Sequence, residues 1–140
     1  MTYTDFLLPV FVEVFLIFVL LFLMGKTRAE SLSRNEATLD DVALDNRNYG
    51  PRARQFGNSF SNQFELPTLF FVLVAFILIT RVGNLLLLVL AWVFVLARVA
   101  QAYVHTTSND VMWRMRAYSL GAVVLFAMWL IFAIRILIVF

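Results

Sequence analysis

Three groups of polar side chains interrupt an otherwise apolar chain, and any chemistry must be sought among them. Asn58, Asn62 and Glu65 are spaced i, i+4 and i+7, and Arg98, Gln101 and His105 are spaced i, i+3 and i+7. On helices each set makes a stripe along one face. Arg114 and Arg116 follow a short polar segment. A charge inside a membrane span costs about 2.5–3.5 kcal/mol on insertion scales, so it persists where it is paired or used. Two readings of the stripes stand side by side. In one they are interhelical glue, with Asn62 and Gln101 as supporting hydrogen bonds. In the other they form a binding site whose surplus positive charge suits an anionic ligand. The crowding of six polar groups at one level, with Arg114 and Arg116 across a short loop, favours the second. Under either reading Glu65 and Arg98 are expected to form a salt bridge or to share one ligand.

The elements that must position these residues are transmembrane helices. The chain has 140 residues, 62% hydrophobic and 14% charged, and a soluble domain of that size has too little interior to hide so much apolar surface. Four apolar runs, residues 6–24, 64–80, 85–104 and 117–139, each approach the roughly 20 residues that cross a hydrocarbon core of about 30 Å. Four spans cannot close a β-barrel, so the expected fold is an all-α integral membrane four-helix bundle, a single domain over residues 1–140. The first run lacks the basic flank and small-residue cleavage site of a signal peptide and is read as a retained helix. Pro9 falls near its start, and Gly25 marks its exit.

Residues 26–58 differ in kind, with six basic and five acidic side chains, and read as a solvated loop. Asn48-Tyr49-Gly50-Pro51 supplies turn chemistry, so the second helix is expected to begin near Arg52. The turn Val82-Gly83-Asn84 makes spans two and three antiparallel neighbours, and Ser108, Asn109 or Asp110 is expected to cap the fourth helix. The connections after spans one and three hold eight basic residues, against Arg81 and Arg135 on the other side. The positive-inside rule then puts both termini outside and loops one and three in the cytoplasm. Of the remaining polar residues, Glu13 in span one is as easily matched to Asn84 as to any function, and Arg135 snorkels to the outer interface.

Composition excludes several classes. With no cysteine and one histidine, there is no disulfide framework, no protein thiol nucleophile and no multi-histidine metal site, and no metal is expected. HExxH, GxSxG, GxxxxGK[ST] and CxxC are all missing. The net charge of +2 is explained by membrane topology, so no nucleic-acid partner is expected. His105, at a helix end, fits an interfacial hydrogen-bonder better than a general base.

Asn62-Gln-Phe-Glu65-Leu-Pro67 opening an apolar helix, Ala97-Arg98 through Gln101 to His105, and Arg114 starting the last helix together resemble the MAPEG family of membrane-associated proteins in eicosanoid and glutathione metabolism. The resemblance runs from Gly25-Lys-Thr-Arg28 to Arg114 and extends to span number, loop lengths and topology. It implies a homotrimer of four-helix subunits in the bilayer, with glutathione as co-substrate between neighbours near the cytoplasmic face. It also implies transferase or peroxidase activity on a lipophilic small molecule. Asn62 and Glu65 match the family residues that serve the tripeptide, Arg98 matches the helix-three Arg, and Arg114 matches the catalytic Arg that stabilises the glutathione thiolate. A guanidinium beside a thiol favours the reactive anion, as such chemistry needs. Gln101 and His105 complete the candidate ligand set, Gln101 where one branch has His and His105 where a Tyr usually reaches the ligand. Asn58 stands where the enzymes carry an Arg, the natural bidentate partner of a carboxylate, with Arg52 and Arg54 upstream. Pro67 comes earlier after the Glu than in the eicosanoid enzymes, and the pattern is that of a bacterial branch. The alternative expectation is a non-catalytic membrane protein of the same fold, binding an anionic amphiphile or serving a structural role.

Overall fold

The computed structural model describes residues 2–139. Its helices are α1 (Tyr3–Ser33), α2 (Leu39–Val42), α3 (Pro51–Asn62), α4 (Leu66–Thr80), α5 (Leu85–Thr106) and α6 (Val111–Ile134). A 3-10 turn at Asn46–Asn48 precedes α3, and a π-helical turn at Arg135–Val139 follows α6. No strand occurs among the described residues. Four helical rods, α1, α3 with α4, α5 and α6, are long and apolar enough to cross a membrane.

The first rod is longer at both ends than its apolar run. The α1 helix starts at Tyr3, so Pro9 lies inside it, and it passes through Gly25 to Ser33 instead of ending there. Thr27 Oγ1 donates to the Leu23 carbonyl at 2.8 Å, which keeps this polar hydroxyl satisfied within the helix. The helix stops where Asn35 takes a left-handed conformation, φ 58°, which Asn tolerates better than most residues. The loop that follows is pinned back on α1: Gly50 N–H donates to Ser31 Oγ at 2.9 Å, and the Arg28 guanidinium lies 5.0 Å from the centre of the Tyr49 ring.

The second rod is interrupted. Pro51 opens α3 at a position where a missing N–H costs nothing. Residues 63–65 then turn with i to i−3 bonds, Glu65 N–H donating to the Asn62 carbonyl at 3.3 Å, before α4 starts with Pro67 in its first turn. The cause is Pro67, which has no N–H to bond the carbonyl four residues back and whose ring crowds that carbonyl. Arg81, φ 58°, ends α4. Asn84 Oδ1 accepts from Leu87 N–H at 2.8 Å and caps α5, and Asp110 Oδ1 accepts from Met112 N–H at 3.0 Å and caps α6. Asn84 is therefore committed to its cap and is not the partner of Glu13.

Below these turns the rods enclose an apolar core of Phe6, Phe70, Leu73, Ile77, Leu87, Phe94, Leu125 and Met128. Phe70 and Phe94 stack with ring centres 4.7 Å apart. On the outside, Phe11, Phe15, Phe18 and Phe22 form an exposed stripe on α1 at helical spacing, suited to lipid or to a neighbouring helix.

Candidate functional site

The site is built where the end of α3, the last turns of α5 and the start of α6 meet. On α5, Arg98, Gln101 and His105 are all buried, because their stripe faces the bundle. Arg98 Nη2 donates to the Asn62 carbonyl at 3.1 Å, a carbonyl that the break after α3 leaves without a full helical partner. Gln55 Nε2 donates to the His105 carbonyl at 2.7 Å, tying α3 to the end of α5, and Asn62 Nδ2 lies 3.5 Å from His105 Nδ1. On α6, Arg114 Nη1 donates to Asn109 Oδ1 at 2.7 Å.

Two adjoining cavities follow from this arrangement. One, of about 320 Å³, is lined by Asn58, Ser61, Asn62, Glu65, His105 and Arg114. The other, of about 210 Å³, is lined by Asn62, Gln101, Arg114, Met115, Tyr118 and Ser119. Asn62 and Arg114 border both. The first also shares Asn58 and Ser61 with a larger polar cavity of about 640 Å³ that carries Arg28, Arg47, Arg54 and Gln55. There Arg47 is already neutralised by Asp45, at 3.0 Å; the hydrogen-bonded guanidinium holds that carboxylate below its usual range. Arg28 and Arg54 supply the remaining positive charge. A further cavity of about 500 Å³ at the opposite end, near Phe6, Ile77 and Arg81, offers one cation and no cluster of polar groups.

The structure thus gathers Asn62, Glu65, Gln101, His105 and Arg114 around two cavities that share Asn62 and Arg114, with Arg98 bonded to the Asn62 carbonyl. It also corrects the expected pairing. Among the described residues the only ion pair is Arg47–Asp45, so Glu65 and Arg98 form no salt bridge. Glu65 lies in the turn after α3, exposed, where its Oε2 accepts from Tyr118 Oη at 3.4 Å, whereas Arg98 is fully buried. Arg116 stays outside as well, its guanidinium 4.9 Å from the Trp113 ring centre.

Three contributors escaped sequence reasoning. Tyr118 is one helical turn beyond Arg114, a spacing that puts both on one face and was there to be read. Ser61, three residues after Asn58 on α3, could be read the same way, whereas Arg28 has no such signal, since only the packing of α1 beside α3 carries it to the cavity.

Chemically, the arrangement offers cations and hydrogen-bond donors and acceptors but no activated nucleophile. The hydroxyls of Ser61 and Ser119 have no general base bonded to them, and the chain has no cysteine. An anion, or a group that becomes one, fits this lining. In comparison with known proteins, the MAPEG family model matches residues 6–134. No curated protein and no solved structure matches the chain.

Proposed function

The chain belongs to the MAPEG family, and from that premise we propose that this multi-pass membrane protein is a thiol-dependent transferase or peroxidase. It would bind glutathione, or a similar thiol, at the α3–α5–α6 end and act on lipophilic electrophiles that arrive laterally from the bilayer. The observation that carries this reading is the convergence of Arg114, Asn62, Glu65 and His105 on one cavity in a chain without cysteine. The site can steady an anionic sulfur, and the sulfur must come with the ligand.

In this mechanism Arg114 is the catalytic residue. Its guanidinium lowers the free energy of the thiolate relative to the thiol, whose free pKa is about 8.5, and the proton passes to solvent. The thiolate sulfur then forms a bond to an electrophilic carbon, and the leaving group departs with its electron pair. The Glu65 carboxylate suits the ammonium of a peptide, while Asn62, Gln101 and His105 supply hydrogen bonds. Arg28 and Arg54, in the adjoining cavity, offer the carboxylate partners that Asn58 does not. We further assign the protein to a homotrimer, with loops one and three in the cytoplasm and both termini outside. Reporter fusions at the C-terminus should then read as extracytoplasmic, and a cytoplasmic signal would overturn that orientation.

The purified protein, assayed with glutathione and a chromogenic electrophile, should conjugate faster than its Arg114→Ala variant by roughly 10²-fold, the scale on which removal of one charge-stabilising donor acts. Equal rates in the two proteins would contradict the proposal.

A further inference from the structure

Glu13 does not line the cavities described above, yet it is a fully buried carboxylate. None of its surface is exposed, and neither carboxylate oxygen has a hydrogen-bond partner in the protein. Arg98 on α5 is equally buried, and beyond the Nη2 bond to Asn62 its Nε and Nη1 have no partner either. The two helices pack against one another. Glu13 and Arg98 are not in direct contact, the only ion pair among the described residues being Arg47–Asp45, but Arg98 is the only buried guanidinium among those residues. No other acidic side chain among the described residues is buried.

The chemistry of the two groups is complementary: a carboxylate only accepts and a guanidinium only donates. In an apolar interior neither charge is tolerable alone, and removal of one partner is far more damaging than replacement of both. The consequence reaches the site, because the Arg98 guanidinium also holds the Asn62 carbonyl at the break after α3, and Asn62 lines both cavities.

We propose that Glu13 is the buried counter-charge of Arg98 and, through it, a positioning residue of the site at the far side of the bundle. Glu13 touches no ligand. It offsets the Arg98 charge in the apolar interior, and Arg98 fixes Asn62. The proposed charge compensation is independent of any ligand; only its effect on glutathione rests on the function proposed above.

The test is a double-mutant cycle on the full chain in detergent, read first as the thermal midpoint. Glu13→Gln keeps the shape and removes the charge, and should lower the midpoint by about 10 °C. Glu13→Asp should regain at least half of that loss. Glu13→Gln/Arg98→Met should melt above Glu13→Gln alone. If Glu13→Gln does not fold, the same comparison is made between Glu13→Leu and Glu13→Leu/Arg98→Met, and the double variant should be the one that folds. Additive losses, a silent Glu13→Gln, or a double variant no better than its Glu13 single variant would overturn the proposal.

The second readout is the midpoint shift produced by millimolar glutathione, measured in variants that fold. Wild type should gain a shift that Glu13→Gln largely loses and Glu13→Asp recovers, a rescue that a packing role alone would not produce. An unchanged shift in Glu13→Gln would overturn the positioning role. If wild type shows no shift, the thiol reading fails, and the cycle still decides the charge compensation by itself.

Discussion

The two polar stripes, alike in spacing, behave in opposite ways. On α5, an unbroken helix, Arg98, Gln101 and His105 are between 0% and 4% exposed, turned inward against α1, α3 and α6. On the second rod, Asn58 and Glu65 are exposed and Asn62 half-buried, and the helix itself gives way between Asn62 and Leu66. Arg98 is the framework member of the buried stripe, since it bonds the α3 backbone at Asn62, while Gln101 and His105 border the cavities. The open stripe lines the cavity proposed to take a ligand. Polar residues in a membrane are therefore not of one kind: those that satisfy backbone groups of neighbouring helices stabilise the bundle, and those that line a cavity leave their bonds for something else.

This contrast predicts a graded set of effects. The largest belongs to the framework: Arg98→Met alone should cost about 3–5 kcal/mol of stability, because it strands a buried carboxylate, as measured by thermal or denaturant unfolding in detergent. A loss below about 1 kcal/mol would erase the distinction between the stripes. Next comes the cap that sets the start of α6. Asp110→Ala removes the acceptor for the Met112 and Trp113 N–H groups and should cost about 1 kcal/mol. Because Arg114 sits in the turn it anchors, activity should fall further than stability does.

On the open stripe the order is reversed. Glu65→Gln should change stability by less than about 0.5 kcal/mol, as surface substitutions do. It should still abolish most of the protection given by glutathione, which at about 100 times its Kd would reach about 2.7 kcal/mol in wild type. A thermal-shift titration of the two proteins makes the comparison, and equal shifts would place Glu65 outside the ligand site.

The smallest effect lies outside both stripes, at the exposed Asp45–Arg47 pair. The folded-state pKa of Asp45 is depressed, so its contribution is present above the unfolded value, about 3.9, and is lost as pH falls through the folded one. Asp45→Asn should therefore matter slightly at neutral pH, less in high salt, and not at all once acid has protonated the native carboxylate. Unfolding midpoints across pH 2–7 would reveal it.

How much of this was legible in the sequence depends on which physical rule was at stake. The apolar runs, the family resemblance and a cap for α6 among Ser108, Asn109 and Asp110 could be read directly, because lipid leaves helices as the default and caps use few residue types. The break in the second rod could not be read from spacing alone. The stripe Asn58–Asn62–Glu65 assumes a continuous helix, and Pro67, which ends that continuity, moves Glu65 toward Tyr118 and away from Arg98. Glu13 stood out in the sequence, but its relation to Arg98 did not, for another reason. Helical periodicity orders residues along one rod, but it does not say which rods touch, and the packing of α1 on α5 joins spans that are not adjacent in the chain. Arg28 escaped in the same way, as a residue delivered to the cavity by tertiary packing.

The central claim is that Arg114 holds the sulfur of a bound thiol as the anion, and it can be seen before any turnover. The ultraviolet absorbance of the thiolate should rise when the purified protein is mixed with glutathione at neutral pH, saturating with the thiol concentration, and should vanish in Arg114→Ala. An absorbance change of the same size in both proteins, or none in either, would contradict the account.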